Sequence, residues 1–174
     1  LFGIAAAVTL LVGTLFSFDA IDDMIDQMFF RTNAHDAAVT FFEARNESAV
    51  SELSRIPGVM AAEGVRDVPA RLVSGYRSER VSITGLAADA QLRRVLSSDG
   101  RYVDMPSTGI VLSSQLAGML DVTTGDTITA HILDATRPVV DLPVTAIIDE
   151  SVGTPAFMDI ATMNALLDQP PTVS

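Results

Sequence analysis

Residues 65–86 read VRDVPARLVSGYRSERVSITGL, and this run has the pattern of an antiparallel hairpin. Apolar residues alternate with polar ones in each half of the run, first Val68, Ala70 and Leu72, then Val81 and Ile83. Such alternation is typical of a strand with one buried face. Between the two halves, Ser74-Gly75 has the composition of a tight turn. The run therefore predicts two paired strands joined by a short loop.

A second block with similar chemistry begins near Gly109. Ser113 is placed to cap a helix whose apolar residues share one side: Leu116, Met119 and Leu120. Two alternating runs follow, the first with Ile128, Ala130 and Ile132, the second with Val140, Leu142, Val144, Ala146 and Ile148. Pro143 has no amide hydrogen, which predicts an edge position or a bulge there. Asp159 is placed to cap a last helix, which contains Ile160, Met163, Leu166 and Leu167 and is ended by Pro170-Pro171.

The segments before and between these blocks predict further short elements. Residues 35–43 read as a strand, and Asn46 is placed to cap a helix carrying Val50, Leu53 and Ile56, which Pro57-Gly58 ends. Asp89 is placed to cap a short helix with Leu92, Val95 and Leu96 on one side. No long repeat is visible. Together the elements predict an α+β fold with antiparallel hairpins and short helices.

The first eighteen residues, LFGIAAAVTLLVGTLFSF, carry no charge. As a helix with a rise of about 1.5 Å per residue they would reach roughly 27 Å, close to the roughly 30 Å of a bilayer's hydrocarbon core. A membrane helix missing its inner end is therefore favoured over a signal peptide or a buried soluble helix. No basic stretch precedes the apolar run and no clear cleavage site follows it, which argues against the signal peptide. Because residue 1 is Leu and not Met, we expect the chain to be part of a longer one.

The helical period continues beyond residue 18, but one face becomes polar. The apolar stripe consists of Ile21, Met24, Ile25, Met28 and Phe29, and the opposite face carries Asp19, Asp22, Asp23 and Asp26. We expect one continuous helix over residues 1–29, a membrane helix that becomes an amphipathic stalk. No cation precedes Arg31, which indicates a non-cytoplasmic side. A calcium site is the alternative for the carboxylates, but no Gly-containing loop accompanies them and a solvated helix face is favoured.

Charge and composition exclude several classes of partner and site. The chain has 174 residues with 22 acidic side chains against 11 arginines, no lysine and a net charge of −11. Nucleic-acid binding normally requires clustered cations, so we expect no nucleic-acid partner. Cysteine is absent, which excludes disulfides and thiolate metal sites.

No pattern that carries catalytic chemistry is present. The sequence lacks a G-x-S-x-G nucleophile motif, a phosphate-binding G-x-x-x-x-G-K-[ST] loop and an H-E-x-x-H zinc motif. His131 falls on the polar face of its predicted strand, and His35 stands at the start of another, so surface roles are favoured for both. Asp149 and Glu150 are neighbours at a strand end, where a turn is the favoured role. We therefore expect no enzyme and predict no catalytic, cofactor-binding or metal-binding residue.

Three runs of the sequence resemble a known family. They are Leu53-x-x-Ile56-Pro57-Gly58-Val59, then Arg66-x-Val68-Pro69-Ala70-x-Leu72 with Val81-x-Ile83-x-Gly85-Leu86, and later Gly109-Ile110-Val111-Leu112-Ser113 with Leu116-Ala117, Leu120, Val122 and Gly125-Asp126-Thr127-Ile128. The ending Ala156-Phe157-Met158-Asp159 with Asn164-x-Leu166-Leu167 extends the match over most of residues 20–168. In this order, behind an apolar helix, the runs are similar to the periplasmic part of FtsX-like (MacB-type) ABC transporter permeases.

The resemblance implies a bacterial permease of the inner membrane with a large domain on the periplasmic or extracellular side. It implies a cytoplasmic ATP-binding subunit as partner, a homodimer or heterodimer of permeases, and ATP-driven motion passed outward to a lipoprotein, lipid or peptide substrate. It also implies a division into residues 1–30 as membrane helix end and stalk and 31–174 as outer domain. Within that domain, residues 35–75 would form the first βαβ half and 76–168 an inserted lobe, with the second half following Ser174. The alternative function is a membrane-anchored receptor whose outer domain senses a ligand.

Overall fold

The computed structural model describes residues 3, 8–18, 34–41, 43, 45–97, 101–134, 137–149 and 153–174. Residues 8–18 are helical with exposed side chains. In the part of the chain described, no helix has the length and apolar character needed to cross a membrane. The rest of the predicted helix over residues 1–29, including its acidic face and apolar stripe, lies outside the described residues, and so does the weighed calcium site.

The described chain is a mixed α+β fold in which strands dominate. Its helices beyond residue 34 are α1 (Ser48–Leu53), α2 (Ser114–Leu120) and α3 (Ile160–Leu166). Its strands are β1 (Arg45–Asn46), β2 (Arg66–Ser74), β3 (Arg77–Leu86), β4 (Val95–Leu96), β5 (Tyr102–Val103), β6 (Ile110–Ser113), β7 (Thr127–Ile132), β8 (Val139–Ile148), β9 (Ala156–Asp159) and β10 (Thr172–Val173). The predicted α+β class is confirmed.

Six of the strands close into a barrel in the order β2-β3-β9-β6-β8-β7. The hairpin predicted for residues 65–86 is confirmed as β2 and β3, whose antiparallel register runs from Arg66 opposite Gly85 to Ser74 opposite Arg77. The loop between them has two residues, and Gly75 takes a φ of 58°, which L-residues with side chains rarely adopt. The division predicted between residues 75 and 76 falls at this turn, within the barrel.

The caps and strands predicted for the second block are also confirmed, but Met119 is exposed and does not share the buried side of α2. Ser113 caps α2 by accepting a hydrogen bond from the Leu116 amide at 3.3 Å, and Asp159 caps α3 through the Thr162 amide at 2.9 Å. Strand β7 alternates as predicted, with Ile128, Ala130 and Ile132 buried. Near Pro143 the register of β8 against β6 shifts by one residue, which is the irregularity predicted for that position.

The barrel contains the same structural unit twice. Each unit is a hairpin, a single strand and a helix: β2-β3-β6-α2 and β7-β8-β9-α3. Strands β3 and β8 each have ten residues, β6 and β9 four, and α2 and α3 seven. The single strand of each unit pairs with the hairpin of the other unit: β9 pairs in parallel with β3, and β6 pairs in parallel with β8. The barrel therefore has an approximate two-fold symmetry that is not apparent in the sequence.

Apolar side chains fill the barrel and cover one of its sides. The interior contains buried residues from all six strands and from α2 and α3, among them Leu72, Ile83, Leu112, Ile128, Leu142 and Met158. A second cluster lies outside the barrel wall, where β4 and the segment after β5 cover outward-facing residues of β6, β8 and β9: Val111, Ile148 and Phe157. The outer face of β2 and β7 has no such cover within the described residues.

Three sequence predictions before residue 97 differ from the structure. The helix predicted from a cap at Asn46 through Ile56 is the shorter α1, which ends at Leu53; its N-cap residue is Glu47, and Ile56 is exposed. The residues described between 34 and 43 contain no strand; of their backbone groups, the Ala34 amide donates to the Leu92 carbonyl at 2.9 Å. The predicted helix carrying Val95 and Leu96 is instead β4, which pairs with β5. Both side chains are buried. Glu63 holds the preceding chain in place, because its carboxylate accepts the amides of Gln91 at 2.8 Å and Leu92 at 2.9 Å.

Candidate functional site

The junction is the place where the chain enters the barrel at residues 64–67 and where it returns at residues 169–174. The two segments lie side by side: the Ser174 amide donates to the Val65 carbonyl at 3.0 Å, and the Asp67 amide donates to the Ser174 hydroxyl at 3.2 Å. Strand β10 pairs in turn with β1, which precedes α1. The junction therefore connects the barrel to the segment that contains α1.

Arg66 is the buried centre of this junction. It is the first residue of β2 and only 1% exposed. Its guanidinium donates to the side-chain oxygens of Asn164, Thr172 and Gln169, the last at 2.5 Å. Asn164 belongs to α3, and its own amide group donates to the Thr172 carbonyl at 3.3 Å. A single side chain thus connects the start of β2, helix α3 and the returning segment.

The charge of Arg66 is only partly balanced. Among the described residues, the carboxylate that pairs with it is that of Asp134, between β7 and β8, at 3.9 Å, and the Asp134 side chain is half exposed. Burial lowers the pKa of Arg66 from its ordinary value, and Asp134 opposes this effect. The three polar acceptors carry no charge. The site is therefore built to hold a guanidinium in a fixed position, with a forked geometry that lysine does not offer.

Gly64 provides the close packing on the other side of the junction. A Cβ at this position would lie 2.4 Å from a methyl carbon of Val173 and 3.3 Å from one of Val50. The backbone of the entering chain is therefore in direct contact with both β10 and α1. Any side chain here would push these elements apart.

The strand directions place the remaining features at two ends of the barrel. The turn between β7 and β8, helix α3 and the junction lie at one end, and the turn between β2 and β3 lies with α2 at the other. At this second end Arg77 donates to the carbonyl groups of Gly118 and Met119, at 3.3 and 3.4 Å, and pairs with Asp121 at 3.3 Å. A hydrogen bond to the Tyr76 hydroxyl raises the pKa of Arg77. Tyr76 itself is 90% exposed.

The residues weighed for catalysis in the sequence lie apart from the junction. His131 is on the outer face of β7, opposite Arg71. His35 lies in the segment without regular structure, and Asp149 is exposed after the end of β8. Glu150 is outside the described residues. Sequence reasoning missed Arg66, although it stands two positions before Val68, on the face of β2 that points into the barrel.

Comparisons with known proteins identify the fold. No protein-family model matches the chain, and no curated protein sequence matches it. Among solved structures, the chain is similar to the extracellular domain of the noncanonic ABC-type transporter YknZ from Gram-positive bacteria, with a TM-score of 0.52 and 12% sequence identity. The likeness covers 75% of this chain and 73% of that one. At this identity the comparison shows a shared fold.

Proposed function

We propose that this chain is the extracytoplasmic domain of an ABC transporter permease and that it transmits ATP-driven motion to an exported or extracted substrate. The observation that carries the proposal is the fold shared with the extracellular domain of a transporter of that class. The sequence runs that resemble FtsX-like permeases support the same class. The fold alone does not determine function, so the proposal also needs a physical route for the motion.

The junction supplies such a route. A movement of the segment preceding residue 45 reaches β1 and α1 first, then β10 through the pairing of Arg45 with Val173. From there Arg66 links the returning chain to β2 and α3. Because the Arg66 side chain is buried and Gly64 packs directly against β10 and α1, a movement that reaches β10 would be passed on to the barrel.

The packed barrel interior favours a transmitter over a ligand trap. Side chains such as Leu72 and Ile83 are fully buried inside the barrel, whereas a small-molecule site is a sizeable cavity with a few polar groups. We therefore propose that the domain performs no catalysis, uses no cofactor and works on a lipoprotein, lipid or peptide. Its proposed partners are a cytoplasmic ATP-binding subunit and a second permease, and its proposed place is the outer side of a bacterial cytoplasmic membrane.

An insertion in the predicted stalk tests the proposal. Gly-Gly is inserted after Asp26 in the full permease, which is reconstituted with its ATPase in liposomes. A flexible joint at this point should leave ATP hydrolysis near the wild-type rate while lowering transport by at least about tenfold. The matched control is the same insertion between Gly75 and Tyr76, in the exposed turn at the end of the barrel away from the junction. This control should transport normally. Wild-type transport by the Asp26 insertion would overturn the transmission role.

A further inference from the structure

Three basic side chains lie side by side on the outer face of the barrel. Arg71 of β2 is directly opposite Arg80 of β3 and directly opposite His131 of β7 in the two antiparallel registers. Arg71 and Arg80 are exposed, and His131 is partly exposed. Directly opposed residues in such pairs have Cβ atoms about 4.5–5.5 Å apart. Arg80 and His131 lie on the two strands that flank β2, and two strand spacings put them about 9.6 Å apart. We call these three residues the cationic row.

This arrangement is unfavourable for the isolated chain. Like charges directly opposite each other destabilise a sheet. The chain has 22 acidic side chains that could stand beside its 11 arginines. Yet within the described residues neither Arg71 nor Arg80 forms a salt bridge. The carboxylate of Asp141, one row away on β8, instead accepts a hydrogen bond from the Thr129 hydroxyl at 2.8 Å. The fold therefore leaves two adjacent guanidinium groups without an anionic partner in the described part of the molecule.

Within the described residues, no element covers the surface around the cationic row. Strand β4 covers the other side of the barrel, where the outward residues are apolar. Next to the row the outward residues are short: Ser78, Val73 and Thr129 on one side, and Ser82 and Pro69 on the other. The long arginine side chains consequently stand above their neighbours, and both guanidinium groups are accessible to a partner.

We propose that the cationic row binds an acidic helix of a partner protein. Side chains at i and i+4 of a helix are about 6 Å apart, and i and i+7 about 10.5 Å, which matches the spacing of the row within roughly 1 Å. Guanidinium groups pair well with carboxylates through two parallel hydrogen bonds. Carboxylates at i, i+4 and i+7 would then meet Arg80, Arg71 and His131 in turn.

The surrounding charge favours such a helix over a membrane or another extended polyanion. Asp141 is level with Val73, the next outward-facing residue of β2 after Arg71, and Asp67 is the second outward-facing residue of β2 before Arg71. The whole chain has a net charge of −11. A broad anionic surface would be repelled by these groups, whereas a helix with three carboxylates in one line contacts only the row. This inference rests on the register of the barrel and is independent of the proposed transport function.

The test is a binding measurement on the whole 174-residue chain, held in phosphatidylcholine nanodiscs. The probe is a fluorescein-labelled, alanine-based helical peptide with Glu at i, i+4 and i+7, followed by fluorescence anisotropy. We expect binding that weakens at least about tenfold in the Arg71→Gln/Arg80→Gln double variant and falls strongly between about 50 and 300 mM salt. Arg55→Gln, which removes an exposed charge near α1, should bind like the wild type. A second peptide with the three Glu residues at i, i+2 and i+5 should bind much more weakly, since its carboxylates face different sides.

Every other outcome overturns the proposal. Equal binding of both peptides, or equal loss in Arg55→Gln, would mean nonspecific attraction. Competition by inorganic phosphate or by phosphatidylglycerol vesicles at lower concentration than the peptide would assign the row to a small anion or to a lipid surface. The urea midpoint of the double variant serves as a fold control. It should equal or exceed that of the wild type, because removing opposed like charges relieves repulsion.

Discussion

A guanidinium buried at the start of a strand requires a specific environment. Taking a charge out of water is costly, and a buried ion pair offsets this cost only with good geometry and additional hydrogen bonds. At the junction, Asn164, Gln169 and Thr172 supply uncharged oxygens, and Asp134 adds a carboxylate from the surface. Since all of these groups come from the second half of the barrel and the returning chain, the burial of Arg66 depends on the complete fold.

Replacing Arg66 should therefore destabilise the domain. Arg66→Met leaves the Gln169 side-chain oxygen without its guanidinium donor and the Asn164 oxygen with only the Thr172 hydroxyl, so we expect a loss of about 2–4 kcal/mol in the free energy of unfolding. Arg66→Lys retains the charge but not the forked donor geometry of the guanidinium, so we expect the free energy of unfolding to fall by about 1–2 kcal/mol. Urea unfolding followed by circular dichroism measures both values. Arg55→Met, at an exposed position, should stay within about 0.5 kcal/mol of the wild type. If Arg66→Met behaved the same way, the guanidinium would have no role in the junction.

At the scale of elements, the sequence predicted correctly those features that depend on neighbouring residues, namely strand alternation and helix caps. The alternation around Ala70 and the caps Ser113 and Asp159 each depend on residues within a few positions, and each is confirmed. The helix predicted around Val95 failed because the Glu63 carboxylate, 28 residues before Gln91, holds the preceding chain and because β4 pairs with β5. The strand predicted for residues 35–43 has no strand partner among the described residues. Barrel closure was missed because β3 pairs with β9 some seventy residues later. Arg66 stands two positions before Val68, so the alternation of the strand predicts that its side chain points inward. The sequence does not predict which residues its guanidinium contacts.

The turn between α2 and β7 illustrates an element held by one carboxylate. Asp126 accepts the Thr123 amide at 2.7 Å and the Thr123 hydroxyl at 2.9 Å, and these two bonds, the first being the larger cause, lower the pKa of Asp126. A carboxylate whose pKa is lowered on folding stabilises the fold above its unfolded pKa of about 3.9, and loses this contribution as pH falls through the lower folded value.

We accordingly expect a pH-dependent difference between the wild type and Asp126→Asn. The variant keeps an oxygen acceptor but no charge, so its urea midpoint should be lower at pH 7. The difference should remain constant down to about pH 5 and close as the pH falls below about 4 and through the lowered folded-state pKa of Asp126. Asp104→Asn, between β5 and β6, is the control and should show a midpoint like that of the wild type at pH 7. A difference for Asp126→Asn that persisted at the lowest pH would indicate a packing effect instead of the charge.

For the whole molecule, burial is concentrated in the barrel. The barrel strands and the helices α2 and α3 supply the main apolar cluster, whereas α1 contains no buried residue. Helix α1 is also short, and isolated helices of such length are marginal in water. Its position depends on Gly64, on the pairing of β1 with β10 and on the Glu47 amide, which donates to the Pro171 carbonyl at 3.0 Å. The segment containing α1 should thus open more easily than the barrel.

Hydrogen exchange measured by mass spectrometry should resolve these two levels of stability. Peptides covering residues 48–58 should exchange through local opening, with rates almost unaffected by low urea, since few buried groups hold α1. Peptides covering residues 110–120 and 156–166 should exchange only on global unfolding. Strands β6 and β9 are each hydrogen-bonded on both sides in the closed barrel, and the helices that follow them pack against the core. Arg66→Met should accelerate exchange most in peptides that contain residues 45–53 and 171–174. Equal protection of residues 48–58 and 110–120 in the wild type would contradict this division. It would mean that α1 and the barrel open as a single unit, and that the junction does not set the stability of α1.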